Sequence, residues 1–63
     1  MTREEMDALC VGQLIRHAHS ASAYVVTANA GGEVTATRVV TATNPAEWDA
    51  VDDSGRVIST PAY

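Results

Sequence analysis

The sequence has no lysine and no phenylalanine, one cysteine, three aromatic side chains, and no unbroken apolar stretch longer than four residues. Each shortage excludes something. Without lysine, the only fixed cations are Arg3, Arg16, Arg38 and Arg56, scattered along the chain against eight acids, for a net charge of −4. A protein that neutralises phosphates carries a clustered basic face, so non-specific binding to nucleic acid or to an anionic membrane is disfavoured. The lone Cys10 excludes an intramolecular disulfide framework and favours a reducing compartment, so a cytoplasmic location is expected. Short apolar runs exclude a membrane-spanning helix and the apolar region of a signal peptide. Sixty-three residues allow one domain, residues 1–63, with little room for the dry pocket an enzyme needs.

What is present reads as a small folded domain. At 46% hydrophobic and 19% charged, the chain is too apolar for a disordered acidic tail. Residues 2–10 read as a short helix: Thr2 and Glu5 form the T-x-x-E pattern in which each side chain serves the other's backbone N–H. Met6, Leu9 and Cys10 recur at helical spacing, an apolar stripe that predicts burial of all three. From residue 11 to 59 the composition shifts to Val, Ile, Thr and Tyr, which suit a pleated surface. Strands are expected over 11–17, 23–28, 34–43 and 56–59, with the second and third joined by a five-residue loop at 29–33 that contains Gly31 and Gly32. In the third strand Val34, Ala36, Val40 and Ala42 fall on one face and Thr35, Thr37, Thr41 and Thr43 on the other. Asn44 and Pro45 are suited to open a single helical turn, which swings the only tryptophan, Trp48, back toward the sheet. Residues 60–63 form a tail.

This order of elements predicts a mainly β (α+β) fold: a strongly bent, SH3-like barrel of four to five strands, with an N-terminal helix and a one-turn helix near Asn44–Trp48. Curling the sheet removes the exposed edges of a flat one. Gly12 to His17, Tyr24 to Thr27 and Thr41 to Trp48 supply the patterns G-x-x-[VI]-R-H, Y-x-V-T and N-P-x-E-W. In these the chain resembles small proteins of bacteriophages and prophages, over roughly residues 12–51. The resemblance implies an SH3-like barrel and a phage-type origin. It carries no catalytic residues across.

Several constellations carry groups capable of chemistry. His17 and His19 share a strand face, but two imidazoles are short of the three or four ligands a tight metal site needs, and no metal or cofactor is expected. Cys10 with His17 or His19 lacks an orienting group and an oxyanion site, so catalysis is not expected. Arg38 falls on the apolar face of the third strand, which predicts either a bulge near it or a paired arginine, with Glu47 or Asp49 as the partner. Glu47, Asp49, Asp52 and Asp53 surround Trp48. They are either a solvated loop around a core tryptophan or an acidic patch rimming an exposed one, the kind of surface that engages a basic groove on a protein.

The reading that follows is a non-enzymatic, acidic protein-interaction module that binds and modulates a host protein through Glu47, Asp49, Asp52, Asp53 and Arg38. The alternative is a nucleic-acid-binding barrel that uses Arg16, His17, His19, Arg38 and Arg56 on one face. Its aromatics are too few and not interleaved with basic residues, which counts against it. Because so short a chain builds a marginal core, self-association is a further expectation.

Overall fold

A computed structural model describes residues 1–18, 20, 22–37 and 40–60. Helix α1 spans Arg3–Asp7. Its start follows the sequence pattern: Glu5 N–H donates to Thr2 Oγ1 at 3.1 Å and Thr2 N–H donates to the Glu5 carboxylate at 2.8 Å. Its end falls earlier than residue 10. The side-chain amide of Asn29 reaches the carbonyls of Met6, Asp7 and Leu9 at 3.0, 3.2 and 2.9 Å, and so takes acceptors that further helical N–H groups would use. Met6 is fully buried and Leu9 packs on the core, but Cys10 lies past the helix and is exposed, contrary to its expected burial.

Five antiparallel strands follow: β1 (Leu14–His17), β2 (Ala23–Ala30), β3 (Glu33–Ala36), β4 (Val40–Ala42) and β5 (Trp48–Val51). They form one sheet in the order β4-β3-β2-β1-β5, and among the described residues β4 and β5 share no pairing that would close it. β2 serves both halves. Ala23–Val25 pair with β1 and Val26–Ala30 with β3, and a register shift between Val26 and Ala28 leaves Thr27 as the extra residue of a bulge. A second irregularity precedes β1, where both Gly12 and Gln13 answer Val26: Gly12 N–H donates to its carbonyl and its N–H donates to the Gln13 carbonyl. Gly12 holds φ at +96°, which delays the first strand from residue 11 to residue 14.

The loop expected at 29–33 tightens to two residues. Ala30 pairs with Glu33, and Gly31 and Gly32 take φ of +63° and +95°, the two positive values of the turn that matches strand twist. The strand expected over 34–43 folds back on itself as β3 and β4, with Ala36 opposite Val40. A hairpin thus replaces the single long strand, and the bulge expected near Arg38 falls outside the described residues. Arg38 itself, with its expected pairing to Glu47 or Asp49, lies outside the described residues, as do His19 and Tyr63. The alternation holds across the hairpin: Val34, Ala36 and Ala42 are buried, while Thr41 and Thr43 are exposed.

After β4, Asn44 Oδ1 accepts the Ala46 N–H and Pro45–Glu47 form one 3-10 turn, as the sequence predicts. The last strand is then Trp48–Val51, not 56–59. Residues 56–59 contribute only an isolated bridge, Val57 opposite Val51. The core comprises Met1, Met6, Ile15, Val26, Val34, Ala36, Ala42 and Trp48, with Leu9, Tyr24 and Val40 packed against it. The Met1 α-ammonium donates to Trp48 O at 2.8 Å and to Pro45 O at 3.0 Å, which fixes the chain ahead of α1 against the 3-10 turn.

Candidate interaction surface

Antiparallel pairing places Ile15 opposite Ala50 on the inner face of the sheet and puts Leu14, Val51, Arg16 and Asp49 on the outer face. The outer face is not polar throughout. Val51 is buried there, and Val25, Val57, Ile58 and Val11 are exposed aliphatics, Ile58 at 58% and Val11 at 70%. A groove of about 230 Å³ opens at the C-terminal end of β5, lined by Gly12, Gln13, Leu14, Val51, Asp52, Asp53 and Ile58. The Gln13 amide donates to Leu14 O and Val51 O at 3.1 and 3.0 Å, which pins one wall.

The acids of the sequence pattern divide into two pairs. Asp52 and Asp53 reach the groove. Glu47 and Asp49 stand toward the other end of β5, roughly 10 Å away by strand rise. Asp52 Oδ1 accepts from Ser54 N–H at 2.9 Å, Ser54 Oγ at 2.7 Å and Arg56 N–H at 2.9 Å, and these donors, the Ser54 hydroxyl foremost, hold its carboxyl below the ordinary value. Asp53 is exposed. Asp49 is half-buried, opposite Arg16, with its carboxylate 3.8 Å from the Met1 ammonium. Glu47 is exposed, its carboxylate 4.0 Å from His17 Nε2.

Trp48 is only 7% exposed and meets His17 and Tyr24 edge-on, with ring centroids 5.0 and 5.9 Å apart. Trp48 is therefore not an exposed aromatic for the acids to rim; of the two readings of that segment, the core tryptophan holds. The described arginines are dispersed among separate tasks. Arg3 donates to Thr43 O and lies 3.7 Å from Asp7, Arg16 faces Asp49, and the Arg56 backbone is held by Asp52. Among the described residues no three His, Cys, Asp or Glu side chains gather to hold a metal, and no helix is long and apolar enough to cross a membrane.

Sequence reasoning missed the groove, because its walls come from residues 12–14, 51–53 and 58, which only the β1–β5 pairing brings together. It also missed Asn29. Its one local signal is an Asn three residues before Gly32, whose N–H donates to Asn29 Oδ1 at 2.9 Å. No protein-family profile, curated protein or solved structure matches the chain.

Proposed function

We propose that the chain is a non-enzymatic protein-interaction module that docks a partner segment in the groove at the end of β5. One observation carries this reading: a groove bordered by Leu14 and the exposed Ile58, above the buried Val51, ends at Asp52 and Asp53. About 230 Å³ is less than the roughly 300–1,000 Å³ of small-molecule sites, and suits one or two side chains instead. The matching partner offers an aliphatic side chain beside an arginine or lysine. Glu47 extends the negative field along β5, and the net charge of −4 steers a basic surface toward it.

An SH3-like barrel is the architecture we assign to it. Support comes from the bent β2 shared by both halves of the sheet and from the 3-10 turn just before the last strand, the connection such barrels carry. The resemblance to phage and prophage proteins points to a host protein as the partner, bound in the host cytoplasm. Arg38 has no part in this reading.

The test uses peptides selected from a random display library against the folded chain. Selected sequences should pair aliphatic with basic residues. They should bind about tenfold more weakly to an Asp53→Lys/Val11→Ser variant, whose two sites are exposed and leave folding intact. Unchanged binding would sink the groove reading. Retention on heparin at low salt would move the nucleic-acid alternative to first place.

A further inference from the structure

The outer edge of β5 is covered, but not by a strand. Trp48 O accepts from the Met1 ammonium. Ala50 O accepts from Ile58 N–H at 2.8 Å, and Asp52 N–H donates to Arg56 O at 2.9 Å. Ala50 N–H, which a neighbouring strand would give to a backbone carbonyl, donates instead to the hydroxyl of Ser59 at 3.0 Å. The segment making these contacts touches the sheet through the single bridge Val51–Val57, and its own aliphatic side chains are about half exposed, Val57 at 41% and Ile58 at 58%. It is tied down at its two ends by carboxylates: Asp52 holds the Arg56 N–H, and Glu5 of α1 accepts from Thr60 N–H at 2.9 Å.

Resting on the groove reading above, we infer that residues 56–60 are a displaceable strap. An extended partner segment that alternates aliphatic and basic residues replaces it on β5. That segment pairs with Ala50 and Asp52 as a sixth strand and sets an aliphatic side chain where Ile58 borders the groove. The edge groups are in place, since the strap already satisfies each of them with one bond. Because Val57 and Ile58 keep 41% and 58% of their surface in water, the strap uncovers only part of each side chain on leaving. Val51, nearly inaccessible beneath it, is the surface a better-fitting strand covers. Main-chain pairing supplies affinity, and alternate side chains meeting Leu14 and Asp53 supply selection. In the closed chain, Ile58 is therefore a competitor of the ligand and not a wall of its site.

Val51 and Val57 are a non-hydrogen-bonded antiparallel pair, flanked by the bonds Ile58 N–H to Ala50 O and Asp52 N–H to Arg56 O. Such pairs bring Cα atoms within disulfide range. In a Cys10→Ser background, Val51→Cys/Val57→Cys locks the strap when oxidised and frees it when reduced, so one protein is its own control. The library-selected peptides should bind the oxidised form at least about tenfold more weakly, with recovery on reduction. A second variant runs the opposite way: Ile58→Ser/Ser59→Ala loosens the strap without touching β5 and should tighten binding severalfold. Equal binding to the locked and free forms, or weaker binding to Ile58→Ser/Ser59→Ala, overturns displacement and leaves a fixed groove that includes Ile58. A library that yields no binder to the reduced form overturns the groove reading along with it.

Discussion

Asn29 is the most informative single residue to remove. Its two amide hydrogens serve three carbonyls at and just past the α1 C-terminus, so at most two full bonds join the helix end to the β2–β3 turn, and its Oδ1 accepts a third from Gly32 N–H inside the turn. An intramolecular hydrogen bond contributes about 0.5–1.5 kcal/mol net, and a buried donor left unpaired costs about 1–3 kcal/mol. Asp7 O is exposed and can return to water, whereas Gly32 is buried and its N–H cannot. Asn29→Ala should therefore destabilise by about 2–3 kcal/mol. A chain of this length has about 3–9 kcal/mol in all, so the loss is about a fifth of the total or more. Asn29→Asp keeps the acceptor for Gly32 but turns a carboxylate toward three carbonyls, and should be at least as harmful. Urea unfolding followed by Trp48 fluorescence measures both, with Asn44→Ala as the exposed capping control at about 1 kcal/mol. A loss below about 0.5 kcal/mol for Asn29→Ala, or Asn29→Asp behaving like wild type, would refute the reasoning.

The acid limb of stability should trace to two carboxylates. Backbone N–H donation from Thr2 and then Thr60 holds Glu5 below its ordinary 4.5, and the Ser54 hydroxyl and Arg56 N–H hold Asp52 below 3.8. Both contributions are complete above those ordinary values and vanish as the pH falls through the lowered ones. A Glu5→Gln/Asp52→Asn variant should therefore lose less of its urea midpoint between pH 7 and pH 3 than the parent; an unchanged difference would assign the acid limb elsewhere. In the β2–β3 turn, Gly31→Ala should cost about 1 kcal/mol for its left-handed φ alone. Gly32→Ala should cost about 2 kcal/mol, because its Cβ also displaces the ends of Asp7 and Arg3. Equal melting temperatures for the two variants would show that α1 does not press on the turn.

The parts of the fold legible in the sequence are those whose signal is local. Thr2 and Glu5 sit in the same helical turn, Asn44 caps its immediate neighbour, and the threonine alternation from 35 to 43 reports one face of a hairpin. β5 was illegible for a physical reason. Ala50 packs into the core and Val51 under the strap, so the strand is buried on both faces and shows no alternation. Residues 56–59 misled in the opposite sense: Val57 and Ile58 have strand-type side chains but stay exposed and form only one bridge. Nothing in Thr37-Arg38-Val39 resembles turn chemistry, which hid the β3–β4 hairpin. The candidate site was half legible. Asp52 and Asp53 declared themselves by charge, whereas the floor they border depends on pairing between residues far apart in the chain.

The burial of Gly32 also settles where this molecule can accept foreign sequence. Hairpin tips are ordinarily the places where a β protein tolerates an inserted loop. Here Gly32 at the tip lies beneath the Arg3 and Asp7 side chains and is tied through Asn29 to the end of α1. An insert there separates the helix from the sheet, and five helical residues cannot hold together alone. The turn at Ser54–Gly55 is the opposite case, exposed on all sides, with open space around Gly55. A reporter peptide grafted there leaves every core contact in place.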